Sequence, residues 1–307
     1  MTPVSPDLLA HQVPLALNEA SSAWILTSTA LVLLMTLPGL ALFYGGMVRR
    51  KNVIATIAHS TAAFAIVTVL WFAVGYSLSF GSSGPATNGV IGGLQAAFLN
   101  GVTPSTAHSL APGLPEFLWI AYQLTFAIIT PALIAGAFAE RVKFSASILF
   151  FFLGHLLVYV PICHQVWGGG WMGSLGVLDF AGGAVVHVNA GVAGLVAALV
   201  LGPRHGFGRD NMAPHNLTLT AIGAGLLLVG WMGFNAGSAW AADGIAAVAA
   251  FNTLLDQAVG LAAVIALSGV GTFRIRMACQ FTTGLRVAKE EEIEGLDYTQ
   301  HGETIHQ

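Results

Sequence analysis

The sequence predicts an all-α polytopic membrane protein of about seven spans, and three observations carry the prediction. Charged residues make up 8% of the 307 positions and apolar residues 55%, where a soluble domain carries roughly 25% charge. Apolar runs long enough to cross a bilayer, about 20 residues each, recur along the chain. All 11 Lys and Arg fall on one side of the topology that those runs define. The formal charge of -3 and the lack of any basic cluster larger than Arg49-Arg50-Lys51 argue against nucleic acid as a partner.

The spans read in order as 23–48, 53–80, 117–139, 144–166, 176–201, 217–241 and 245–273. Segment 1–22 has no Lys or Arg, so it lacks the basic region of a secretory signal, and the apolar run after it is too long for one. It is expected as an external segment leading into a retained helix. The connection 81–116 is rich in Gly, Ser, Thr and Pro, and its apolar patch 90–99 is too broken by glycine to span. Arg49, Arg50 and Lys51 follow the first span, Arg141 and Lys143 the third, and Arg204 and Arg209 the fifth. Arg274, Arg276, Arg286 and Lys289 stand at or after the end of the seventh. The positive-inside rule then places the N-terminus outside and makes 274–307 a cytoplasmic tail, with the acidic run 289–294 a solvated stretch. Asp256, about three turns into the last span, is expected to snorkel toward a surface.

The fifth span carries two ionisable residues at membrane depth, Asp179 and His187. Such groups cost several kcal/mol unless they line a cavity or pair. On one helix, Asp179, Gly183, His187 and Gly191 would drift slowly round a single stripe, with His187 about 12 Å deeper by helix rise. His187 reads as a pathway residue or as a buried histidine bonded to backbone. Asp179 reads as a carboxylate accepting bonds at the helix start or as a proton acceptor. Trp167, beside Gly168, Gly169 and Gly170, has bare backbone around its ring that would admit a small ligand. Trp171 and Trp240 read equally as interfacial anchors. Cys163 and Cys279 lack metal-ligand spacing and read as buried apolar residues. No cofactor is implied. Ser238 has no adjacent base, and no nucleophile or acid-base set points to an enzyme.

At this point the chain resembles the ammonium transporter, methylammonium permease and Rhesus superfamily. The resemblance rests on Asp179-Phe-Ala-Gly-Gly-Ala-Val-Val-His187-Val-Asn-Ala-Gly191 and on Pro38-Gly-Leu-Ala-Leu-Phe-Tyr-Gly-Gly46. Further support comes from Ala139-Glu-Arg-Val-Lys-Phe-Ser145, His164-Gln-Val-Trp-Gly-Gly-Gly170, Gly233-Phe-Asn-Ala-Gly-Ser238, and the tail from Gly284 to Glu303. It implies an ammonium-transporter-like helical bundle in the inner or plasma membrane. An external site of Trp167, Ser238 and Tyr122, shaped by Asp179, would recruit ammonium. Phe126 and Phe234 would gate the pore and His187 would be a pore histidine relaying a proton from ammonium to let ammonia pass. A homotrimer and a PII-type signalling protein at the tail are the partners the resemblance implies, besides the lipid bilayer.

Family members are expected to have about eleven spans built from two inverted halves. Here 244–253 resembles the start of the seventh family helix and 254–273 the eleventh, with about four helices lost between Thr253 and Leu254 and the second pore histidine with them. Both helices run inward, so the fused helix keeps its direction. Two functions are therefore expected: a channel or transporter for ammonium and ammonia, or a non-conducting remnant or regulatory subunit of a full-length relative.

Overall fold

The computed structural model describes residues 17–84 and 87–256, together with Phe281 and Glu290. Most of the expected N-terminal segment, the inner part of the seventh span, and nearly all of the tail with Cys279 lie outside the described residues. Among the described residues, six helices are long and apolar enough to cross a membrane: α1 (Glu19–Met47), α2 (Arg50–Phe80), α3 (Glu116–Phe138), α4 (Phe144–Ser174), α5 (Gly183–Leu201) and α6 (Leu217–Ala236). A shorter apolar helix, α7 (Gly244–Asp256), opens the seventh expected span. The chain divides into two compact units, Met1–Thr253 and Leu254–Gln307. In the second, Leu254, Leu255 and Asp256 are exposed.

Local chemistry sets the helix ends. Asn18 caps α1 by accepting the N–H of Ser21 at 2.8 Å, and Asn216 caps α6 by accepting that of Leu219 at 3.1 Å, each satisfying a free first-turn donor. Five of the six spans contain a π turn: Met35–Leu40, Trp71–Gly75, His155–Tyr159, Gly183–Val188 and Met232–Ala236. The first contains Pro38, which has no N–H to give and crowds the preceding turn. The last two hold His187 and Phe234, in keeping with the concentration of such turns at functional positions. The fifth span differs from expectation: its helix begins at Gly183, seven residues after 176, because Gly182 takes a left-handed φ of 82°. Asp179 therefore precedes the helix, and the shared stripe with His187 does not form.

α3 is the central helix, with 72% of its apolar window buried against 22% for α5. α1 crosses α6 at backbone contact, since a Cβ at Gly223 would run into the Phe43 backbone and one at Gly46 into Asn216. Small residues allow this approach. α5 leaves Val192, Leu195, Leu199 and Val200 exposed, and a largely apolar groove of about 780 Å³ runs between α4 and α5.

At one end of the bundle Glu140, between α3 and α4, binds two of the basic residues that the sequence assigns to a single side, Arg49 and Arg204. Its carboxylate accepts the Arg49 backbone N–H at 2.6 Å and Arg49 Nε at 3.0 Å, and pairs with Arg204 at 3.2 Å. Arg141 donates to the carbonyls of Gly202 and Ala137. Burial acts to raise the Glu140 pKa, but the Arg49 N–H, the Asn52 side chain and the two guanidinium groups hold it below the ordinary 4.5. A depressed folded pKa means stability that is present above 4.5 and lost as pH falls through the folded value. Glu140→Gln is expected to destabilise the detergent-solubilised protein by about 2 kcal/mol, since it strands two partly buried cations, and to flatten the acid limb of its melting profile. A wild-type melting temperature that does not fall between about pH 5 and about pH 2 would count against this account.

Candidate functional site

The site is built at the opposite end, from the segment between α4 and α5. The carboxylate of Asp179 accepts four backbone N–H groups: Gly182 at 2.6 Å and Gly183 at 2.8 Å on Oδ1, Ala184 and Val185 at 2.8 Å on Oδ2. These are the donors that a helix start leaves unpaired, and the negative charge sits at the positive end of the helix dipole. The Asp179 carbonyl accepts Trp167 Nε1–H at 2.9 Å, which fixes the indole at the end of α4. Gly182 must stay bare, because a Cβ there would stand 3.2 Å from the Phe126 ring.

Trp167, Asp179, Phe126 and Ser238 line one cavity of about 310 Å³, joined by Trp119, Gln123 and Trp240. The α4–α5 groove is larger but almost wholly apolar in its lining, whereas Gln123, Asp179 and Ser238 converge here. Ser238 is buried and donates its hydroxyl proton to the Phe234 carbonyl at 2.9 Å, which leaves its oxygen lone pairs to accept. Gln123 Oε1 is buried and has no hydrogen-bond partner among the described residues. Trp240 holds a left-handed φ of 59°, unusual for a bulky residue and characteristic of functional sites.

Beneath the cavity the rings of Phe126 and Phe234 stack at 4.1 Å and 23°. Beyond them the His187 imidazole lies 5.5 Å from Phe234 and 6.3 Å from Trp231. Tyr122 is fully buried, and its hydroxyl donates to the carbonyls of Phe234 at 2.7 Å and Gly233 at 2.8 Å. Its side chain is not among those lining the cavity, but its oxygen stands 3.4 Å from the Oγ of Ser238, which is.

A model of the Ammonium Transporter Family matches residues 23–268 and 251–306. The chain belongs to the ammonium transporter family. An ammonium transporter of Bacillus subtilis is 51% identical over 239 residues, covering 76% of this chain and 55% of that protein. A putative ammonium transporter of Methanothermobacter thermautotrophicus is 49% identical, covering 80% and 58% respectively. The crystal structure of Candida albicans Mep2 has a TM-score of 0.72 at 32% identity, covering 92% of this chain and 59% of that one. The chain spans less than three-fifths of the length of each of these ammonium transporter family relatives.

Of the residues singled out from sequence, the structure brings Trp167, Asp179, Ser238, Phe126, Phe234 and His187 into one column and sets Tyr122 beside it. Trp119, Gln123 and Trp240 were not assigned to the site from sequence. Trp119 and Gln123 stand seven and three residues before Phe126, on its face of α3, and that spacing was the available signal.

Two substitutions separate these roles. Asp179→Asn replaces one acceptor oxygen with a donor and leaves two N–H groups unpaired, which should lower stability by about 2 kcal/mol in chemical denaturation. Tyr122→Phe should cost about 1 kcal/mol in the same assay while leaving any ligand affinity of the cavity unchanged; a large loss of affinity would restore Tyr122 to the site.

Proposed function

We propose that this chain is a transporter or channel for ammonium and ammonia in the plasma or inner membrane, with its N-terminus outside. The observation that carries the reading is the vertical order of the groups: a polar aromatic cavity, a closed phenylalanine pair, then an imidazole. An ammonium ion against Trp167 gains about 0.5–2 kcal/mol from the aromatic face. Ser238 and Gln123 offer oxygen acceptors for its protons, and the Asp179 carboxylate sets the shape and the negative potential of the cavity. The charge cannot pass cheaply between Phe126 and Phe234, so a proton is given up there and neutral ammonia moves on. His187, whose ring nitrogens have no hydrogen-bond partner among the described residues, can accept or relay that proton. A cation without a proton to lose stays outside. A homotrimer and a PII-type partner at the tail belong to the same reading.

The second reading is a non-conducting remnant or a regulatory subunit beside a full-length relative. The short coverage of the relatives and the exposed α5 face favour it. About four helices lost between Thr253 and Leu254 would account for both, and the boundary between the two compact units falls at that pair. Uptake of methylammonium by cells lacking other ammonium carriers separates the readings. Transport should exceed the empty vector and fall at least about tenfold in Trp167→Leu and His187→Ala, as expected for the loss of about 1.4 kcal/mol or more of stabilisation on the path. Membrane-inserted protein with no uptake above background leaves the second reading.

A further inference from the structure

The external loop between α2 and α3 reaches the cavity wall through one side chain. The half-buried ring of His108 stacks parallel on Trp119, with centroids 4.5 Å apart and 6° between planes. Trp119 packs at 4.0 Å on Trp240, and both indoles line the cavity. His108 Nδ1 accepts the N–H of Leu110 at 3.3 Å, and Leu110 lines the cavity as well. A single imidazole therefore supports two parts of the wall.

We propose that His108 is a positioning residue of the outer cavity: neutral, it seats Trp119 and Leu110, and protonated, it weakens cation recruitment there. The proposal rests on the recruitment reading above. An Nδ1 that accepts an N–H carries no proton, so the neutral ring is the Nε2–H tautomer. Protonation turns that acceptor into a donor facing a donor, and the Leu110 N–H loses its partner. The imidazolium then lies on the Trp119 face, which stabilises it, and a positive charge stands in the wall of a site for another positive charge.

The groups around the ring are few. Glu116, at the start of α3, is the charged group acting on it, and Tyr76 of α2 bonds the Glu116 carboxylate at 2.5 Å. Phe80 of α2 contributes an uncharged edge at 5.5 Å. Burial lowers the His108 pKa from the ordinary 6.5 and Glu116 partly restores it. The ring is thus neutral at neutral pH and changes state only in external acid.

The full chain in lipid nanodiscs, titrated with ammonium chloride under tryptophan fluorescence from about pH 5 to about pH 8, tests this with wild type, His108→Gln and His108→Phe. Without ammonium, the wild type should show a fluorescence step below pH 6.5 as the imidazolium quenches the stacked indole, and both variants should lack it. The apparent ammonium affinity of the wild type should fall about fivefold toward acid, the order of one like-charge contact at a partly hydrated site, and by less than about twofold in the variants. His108→Phe keeps an aromatic ring on Trp119, so loss of the stack does not confound the result. A wild type without the step, or variants with the wild-type pH dependence, overturns the proposal. Ammonium that binds at no pH overturns the recruitment reading, and the ammonium-free step distinguishes that failure from failure of the His108–Trp119 coupling.

Discussion

Four backbone N–H groups converge on the two oxygens of Asp179 at 2.6 to 2.8 Å, and the cavity end of the bundle is arranged around that cluster. In an apolar surround each of those donors would otherwise cost on the order of 1–3 kcal/mol. Holding them fixes the left-handed turn at Gly182, and the turn sets Gly182 against the Phe126 ring. The same residue's carbonyl anchors Trp167. One residue, through its side chain and its carbonyl, thereby places Trp167 in the cavity wall, the Phe126 ring of the phenylalanine pair and the entry angle of the helix that carries His187.

The opposite end is held by an analogous device with inverted charge. Glu140 sits at a left-handed φ of 66° between α3 and α4 and draws Arg49 and Arg204 from two other connections. Membrane helices gain little from apolar attraction to one another, so their register depends on such polar contacts and on the close glycine crossing of α1 and α6.

Much of this was legible in the sequence because hydropathy and charge placement act over twenty residues at a time. The six helices long and apolar enough to cross a membrane overlap the apolar runs, and Arg49 and Arg204, after the first and fifth runs, meet at Glu140 after the third. Single-residue geometry was less legible. The start of α5 slipped from 176 to 183: the reading of Asp179 as a carboxylate accepting bonds at a helix start agrees with the structure, but apolar content gives no sign that the helix it caps begins four residues after it. Tyr122 came to the recruitment site through the family resemblance alone; its hydroxyl is held by the carbonyls of Gly233 and Phe234 and stands 3.4 Å from Ser238 Oγ, a placement no periodicity describes. Trp119 and Gln123 needed the three- and four-residue spacing on α3, and His108 lies in a loop whose path no periodicity describes.

The clamp made by Tyr122 has a mechanical consequence. Its hydroxyl ties α3 to the carbonyls of Gly233 and Phe234 one helical turn from where Phe126 meets Phe234, so the two backbones cannot draw apart there without breaking buried hydrogen bonds. On the transport reading proposed above, passage between the rings would then be left to rotation about the Cα–Cβ and Cβ–Cγ bonds of two buried phenylalanines, a pair of swinging doors on a fixed frame.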